Sequence, residues 1–231
     1  MQGFRRYAIY ALPAPGPLAQ ALAAWLGWDI ATGQPVAQPV IEGHDLPALT
    51  AVPRRYGAHG TLKPPFSLAS GRTVQELDTA LSAFCTRTEA VTLNGLQVAR
   101  LRGFLALVPI GDTQALNQMA AAVLSAMDGF RGLQSPAQLA KRRAAGLNAR
   151  EEALLLRWGY PYVMETFRFH ITLTGPVDTA EGKALRKLLQ HRLTPLLPRP
   201  FIVDHLCLVG EDEAGLFHLL RRYPLSGDGA G

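Results

Sequence analysis

The sequence predicts an α+β fold of two similar lobes related by pseudo-twofold symmetry. Each lobe is expected to be an antiparallel sheet with helices on its outer face, and a motif strand from each lines a central cleft. Three observations lead there. HGTLKPP, from His59, and HITLTGP, from His170, obey one template: His, any residue, Thr, Leu, two free positions, Pro. The two histidines are 111 residues apart, and the first strands of the two halves are about 100 apart. The same element order surrounds both motifs: strand, helix, connection, motif strand, helix, strand. Agreement in order and spacing points to an internal duplication rather than a chance pair of short matches.

Residues 4–12, rich in Phe, Tyr and Ile and closed by PAPGP, read as the first strand. A helix follows over 17–28, with Leu18, Leu22, Trp25 and Leu26 at helical spacing. Residues 29–52 hold Gly and Pro with few periodic signals and read as loop with at most one short strand. After the first motif, Val74, Leu77, Leu81 and Phe84 share a face of a helix over 73–87, capped by Thr73 or Gly71. Strands are expected over 91–101 and 103–110. The order then repeats with a helix over 113–127 and an insert over 131–166 of two short helices and an aromatic turn, WGYPY. The second motif, a helix over 180–191 and strands over 201–209 and 216–223 complete the chain, before a frayed SGDGAG tail. The expected organisation is a single bilobal domain over 1–231, with lobes at about 1–102 and 103–225.

Composition sets outer limits. Hydrophobic residues at 48% and charged residues at 18% provide for a packed core and exclude global disorder. A net charge of +5 suits an anionic ligand. Cys85 and Cys207 form neither a disulfide framework nor a metal-ligand spacing, so they read as reduced core thiols. No apolar run approaches the roughly 18 residues of a membrane span. Arg5 and Arg6 before a short apolar run mimic a secretory signal, but the run ends at Pro13 and fits a strand better. The expectation is a cytoplasmic monomer with no cofactor and no membrane partner.

The motif itself suggests a chemistry. Alternate residues of a strand face one side, so His59 and Thr61 share a face, as do His170 and Thr172, while the following Leu turns into the core. The Pro further on is expected to end the strand. Two such strands side by side would place two imidazoles and two hydroxyls around one cleft. Hydrolysis of a phosphodiester needs a base for water, an acid for the leaving oxygen and donors for the phosphate oxygens. Histidine serves both proton roles because its unperturbed pKa is about 6.5. No metal is required, and His191, His205 and His218 fall outside any ligand-spaced cluster.

These motifs resemble those of the 2H phosphoesterases, a superfamily defined by two H-x-[ST] motifs on the central strands of two similar lobes. The resemblance covers nearly the whole chain. It implies that His59, Thr61, His170 and Thr172 form the catalytic tetrad. It also implies metal-independent action on cyclic phosphates, notably 2′,3′-cyclic nucleotide or RNA ends, or on 2′–5′ linkages. RYAIY near the start, RRYGAHGTLKPPF and LRWGYPYVMETFRFHITLTGP further resemble a bacterial branch encoded beside carbon–phosphorus lyase genes. That branch often has an aromatic before the first His and Ala after it. Here Ala58 and Gly60 stand there, with Ala58 expected to share the His59 face and widen the pocket. The resemblance implies opening of a small cyclic phosphate, phosphoribosyl 1,2-cyclic phosphate being the specific candidate. The alternatives are an RNA 2′,3′-cyclic phosphodiesterase or 2′–5′ ligase, or a phosphate-binding module without turnover.

Four further residues are candidate substrate contacts. Lys63 continues the Thr61 face, and Arg168 precedes His170 by two, where a guanidinium would hold phosphate oxygens in pairs. Tyr56 and Tyr162 are candidates beside the two motifs, with Tyr160 as an alternative to Tyr162 and Tyr7 or Tyr10 as rim or core. Lys141, Arg142, Arg143 and Arg150 in the insert read either as a solvated helix face or as a basic lid. His44 is a minor candidate for the cleft.

Overall fold

Period-two burial along the first strand sets the layout. In β1 (Arg6–Ala11), Tyr7, Ile9 and Ala11 enter the main core, while Ala8 and Tyr10 enter a second cluster on the opposite face. The computed structural model describes residues 3–227. In chain order, β1 is followed by α1 (Pro17–Leu26), β2 (Trp28–Asp29), β3 (Gln34–Pro35), α2 (Leu46–Leu49), α3 (Ala51–Arg54), β4 (Gly60–Phe66) and α4 (Val74–Thr86). Then come β5 (Val91–Leu93), β6 (Leu96–Leu101), β7 (Phe104–Pro109), α5 (Gln114–Ala126), α6 (Pro136–Arg143) and α7 (Ala149–Trp158). The chain closes with β8 (Ile171–Thr172), α8 (Thr179–Leu193), β9 (Phe201–Val203), β10 (His205–Glu211) and β11 (Phe217–Pro224). The SGDGAG tail lies mostly outside the described residues.

Local chemistry explains the helix limits. Gly27 takes the left-handed conformation (φ 81°) that ends α1, and Thr73 with Glu76 forms a reciprocal capping box at the start of α4. Asn148 and Glu151 do the same for α7, which Gly159 (φ 74°) terminates. The 29–52 stretch is more ordered than its sequence suggests. The β2–β3 ribbon and two single-turn helices occupy it, with Asp45 accepting from the Ala48 amide to start α2. Such short elements carry no periodic signal to read.

The main sheet has seven strands in the order β11-β10-β1-β4-β8-β7-β6, and every pairing is antiparallel. A separate pair joins β5 to β9. The strand order cuts across the division at residues 102/103, since β10 and β11 join β1 and β6 lies beyond β8. One face carries the main core, which collects Leu18 and Leu22 of α1, Leu77 and Leu81 of α4, Leu116 and Val123 of α5, and Leu185 and Leu189 of α8.

Two expectations are corrected. The prolines of the first motif do not end its strand: β4 continues through Pro64 and Pro65 to Phe66. Proline offers no ladder donor, and the β1–β4 register shifts twice along this stretch, the irregularity that accommodates it. Ala58 does not share the His59 face. It is buried in the main core, as strand alternation requires of a residue next to His59.

The motif strands lie side by side, Gly60 opposite Ile171. This antiparallel register sets His59 opposite Thr172 and Thr61 opposite His170. β8 is short because its surroundings claim the backbone after it. The Trp25 indole donates to the Leu173 carbonyl at 2.8 Å, the Thr174 hydroxyl accepts from the Leu105 amide, and the Gly175 amide donates to the Leu49 carbonyl. Gly60 is required by close approach: a Cβ there would lie 2.2 Å from Cε2 of Phe169, which is buried in the core. Gly60→Ala is therefore expected to destabilise the fold by about 1–3 kcal/mol in urea unfolding. Combining it with Phe169→Leu should cost less than the sum of the two single changes; strict additivity would show that the two side chains do not meet.

Candidate functional site

The two histidines are held in the same way. His59 Nδ1 lies 3.0 Å from the Gly57 carbonyl, and His170 Nδ1 lies 2.7 Å from the Arg168 carbonyl. A carbonyl only accepts, so Nδ1 carries the proton in both rings, and Nε2 is left to exchange protons. In each case the partner is the residue two positions back, so the motif's own backbone fixes the tautomer. His59 Nε2 is also 3.0 Å from Thr61 Oγ1, so the hydroxyl donates to the neutral ring. His170 and Thr172 make no such bond among the described residues.

Their surroundings differ. Tyr10 stacks on His59 with ring centroids 3.8 Å apart and planes at 24°, and Tyr56 tilts against it at 5.9 Å. Among the described residues the ring against His170 is that of Phe104, tilted at 51° with centroids 5.6 Å apart. Burial drives the His59 pKa down to about 4; the Gly57 hydrogen bond opposes that and the nearby His170 adds to it. The Tyr10 hydroxyl is fully buried without a hydrogen-bond partner, and burial raises its pKa well above the usual tyrosine value. Tyr10 is a core residue, one of the two places expected for it, and its stack on His59 is what the sequence did not show. Its parity with Arg6 and Ala8 on β1 was the available signal, but not the pairing of Tyr10 with Thr61.

Beside the pair lies a cavity of about 610 Å³. Tyr56, Lys63 and Tyr162 line it; His59, His170 and Arg168 do not. Lys63 is buried, 3.6 Å from Asp128 and 5.1 Å from the Phe66 ring centroid. Burial lowers its pKa to about 8, against the raising effect of Asp128 and with the lowering effect of Arg131. The Tyr162 ring is covered by Arg102 at 5.0 Å and meets Tyr160 edge-on at 5.7 Å. Arg168 is exposed, and its guanidinium donates to the carbonyls of Phe167 and Glu165. Its contribution in this structure is thus its own carbonyl, which orients His170. His44 pairs with Glu181 of α8, away from the cavity.

The insert's cations divide. Arg143 pairs with Glu152 at 2.6 Å and Arg150 with Glu165, both at the surface. Lys141 and Arg142 face the cavity. Arg5, Arg6, Arg55 and Arg131 join them, residues no local pattern assigned to a cavity because they come from three distant segments. Among the described residues, no group of three or more His, Cys, Asp or Glu side chains is placed to hold a metal ion, and no helix is long and apolar enough to cross a membrane.

The fold is that of the class represented by LigT of E. coli, solved with 3′-AMP: TM-score 0.50 and 15% identity, covering 96% of this chain and 99% of that one. The chain belongs to the family described as "Protein of unknown function (DUF1045)", which matches residues 61–218. It is also 39% identical, over 99% of its length, to a protein of Janthinobacterium sp. (strain Marseille) named ribose 1,5-bisphosphate phosphokinase PhnN. A protein of the same name from Laribacter hongkongensis (strain HLHK9) is 37% identical over 94% of the chain. The chain spans about half the length of these curated relatives, 52% and 51%.

The low His59 pKa carries a stability consequence. In the unfolded chain the ring titrates near 6.5, so between about 6.5 and 4 the unfolded state binds more protons. The full contribution is present above pH 6.5 and is lost as pH falls towards 4, on the order of 2–3 kcal/mol. Urea unfolding at pH 7 and pH 4.5 should show this loss in the wild type and a smaller one in His59→Gln. Equal losses in both proteins would place the slope elsewhere.

Proposed function

We propose that this chain is a metal-independent cyclic phosphodiesterase that opens a small cyclic phosphate by water, phosphoribosyl 1,2-cyclic phosphate being the specific candidate. The observation that carries the reading is the pairing of the two H-x-T strands, with both Nδ1 protons fixed on backbone carbonyls and both Nε2 atoms left to exchange protons. In this reading the β4–β8 pair is the local axis of a duplicated, bilobal fold.

His59 acts as the base. Its environment keeps it neutral at ordinary pH, and its Nε2 takes a proton from water as the water oxygen bonds to phosphorus. His170, the less enclosed ring, acts as the acid and protonates the sugar oxygen as the P–O bond breaks. The product is a phosphomonoester with a free hydroxyl. Thr61 turns its hydroxyl from His59 to a non-bridging oxygen, and Thr172 donates from the opposite strand, where charge develops. No step calls for a metal. Tyr56 and Lys63 border the reacting phosphate, and Tyr162 stands further along the cavity.

The names of the relatives raise a second reading, a kinase acting on ribose 1,5-bisphosphate. We assign that chemistry to the half of those proteins that this chain does not span. The ribose bisphosphate in their name favours a ribosyl phosphate here over an RNA end.

Phosphorus NMR of the purified chain with phosphoribosyl 1,2-cyclic phosphate, in the presence of a chelator, is expected to show ring opening. His59→Ala and His170→Ala should each slow it ~10²–10⁴-fold, with smaller losses for Thr61→Ala and Thr172→Ala. Near-wild-type rates in both histidine variants would sink the assignment, and loss of activity with the chelator would contradict the metal-free mechanism. Turnover restricted to RNA ends would favour the RNA-processing alternative, and binding without turnover a non-catalytic module. Incubation with ATP and ribose 1,5-bisphosphate should consume neither; ATP-dependent phosphorylation would place the kinase in this chain.

A further inference from the structure

We propose that the basic cavity beside the two histidines is a second phosphate subsite. It takes a phosphomonoester borne by the same small organic molecule whose cyclic phosphate reacts at His59 and His170. The inference rests on the hydrolytic reading above for the identity of that molecule, but its charge argument stands on the cavity alone.

Seven basic side chains line the cavity, and Glu211 is the one acidic residue among the lining residues. Glu211 is engaged by Arg6 in a two-bond pair and by Arg55 at 3.8 Å. Asp128 lies behind the wall and is shared by Arg131, at 2.8 Å, and Lys63. Neither carboxylate is left to neutralise Lys141 or Arg142, and neither of these two has a carboxylate partner among the described residues. Arg142 instead lies over the Tyr160 ring, at 4.5 Å. The cavity therefore gathers far more positive than negative charge, the arrangement a phosphate dianion would satisfy.

Several cations are already held in place. Arg131 is fixed by Asp128 and by the Arg157 carbonyl, and Arg6 by Glu211, so binding need not order them. Gln134 points the same way. Its Nε2 donates to the Gly159 carbonyl at 2.9 Å, and its Oε1 is left buried without a donor in a cavity wall. A ligand hydroxyl would supply one, which suits a sugar phosphate better than a bare anion. A volume of about 610 Å³ lies in the usual small-molecule range. Lys63 stands two residues beyond Thr61 on β4, about 7 Å along the strand, so one sugar can reach from the tetrad to the cavity.

Calorimetric titration with ribose 5-phosphate tests the subsite apart from the chemistry. The wild type and a His59→Ala/His170→Ala protein are expected to bind it alike, and ribose far more weakly. A Lys141→Ala/Arg142→Ala protein, altered only on α6, should bind it at least tenfold more weakly, with circular dichroism confirming its fold. In kinetics, adding a 5′-phosphate to a nucleoside 2′,3′-cyclic phosphate should lower KM at least tenfold in the wild type. That advantage should shrink towards one in the α6 variant. Ribose 5-phosphate binding no tighter than ribose, or equally tight in the α6 variant, overturns the proposal. So does a short RNA that displaces ribose 5-phosphate at far lower concentration, since the cavity would then belong to a polymer groove. Normal ribose 5-phosphate binding with no turnover of any cyclic phosphate upholds the anion subsite and overturns the hydrolytic reading instead.

Discussion

The structure depends on one strand pairing, the antiparallel contact of β4 and β8 at Gly60 and Ile171. On one face it brings two imidazoles and two hydroxyls together. On the other it closes the core, with Phe169 lying where a side chain on residue 60 would be. These two faces are not independent. A slip of one residue would send His59 and Thr61 into the core and Ala58, Gly60 and Leu62 into the cleft. The hydrophobic fit on the hidden face thus fixes the register of the polar face. β8 adds little ladder of its own, so its position is taken over by Trp25, Thr174 and Leu49, which come from α1, the motif's own tail and α2.

The two histidines share a local mechanism of orientation and differ in enclosure. Each donates Nδ1–H to the carbonyl two residues earlier, a bond the motif can make with almost any residue there. The difference comes from neighbouring strands: Tyr10 of β1 stacks on His59, and Phe104 of β7 lies farther from His170 and tilted. Stacking a ring under Tyr10 removes water from His59 and favours its neutral form. The same stack leaves the Tyr10 hydroxyl buried and unpartnered, a local penalty of about 1–3 kcal/mol that the rest of the fold offsets. Two residues that look equivalent in sequence thus stand in different surroundings, and those of His59 favour its neutral ring.

Much of this was legible in the sequence because it is local. The helices at 17–28, 73–87, 113–127 and 180–191 announce themselves by apolar spacing and caps, and the structure holds them within two residues of those limits. The i, i+2 relation of His and Thr follows from strand geometry alone. The same rule, applied to Ala58, would have placed it in the core. Parity with Thr61 singles out Lys63, and the structure puts it in the cavity wall but ties it to Asp128, 65 residues later. What could not be read is non-local. Nothing near residue 205 says that β10 will pair with β1, and nothing near Arg6, Arg55 or Arg131 says that they will converge. Arg168 was legible as a position but not as a role, since its side chain turns to its own backbone and its carbonyl does the orienting.

That convergence ties the insert to the rest of the molecule. Arg6 comes from β1, Lys63 from β4, Arg131 from the segment after α5, and Lys141 and Arg142 from α6. Like charges brought together raise the energy of the folded state, and the effect is visible at Lys63, whose pKa burial lowers to about 8 with a further push from Arg131. Glu211 and Asp128 relieve part of the repulsion from within. Arg143 and Arg150, a few residues from Arg142, find carboxylate partners at the surface, so pairing was available to cations of this same insert. Lys141 and Arg142 stand against the cavity without such partners, adding positive charge where it is already in excess. An arrangement that concentrates repulsion in a concave wall next to paired histidines is relaxed by an anion entering it. The α6 helix is therefore a wall of this cavity, packed to the rest of the molecule through the charge it brings there.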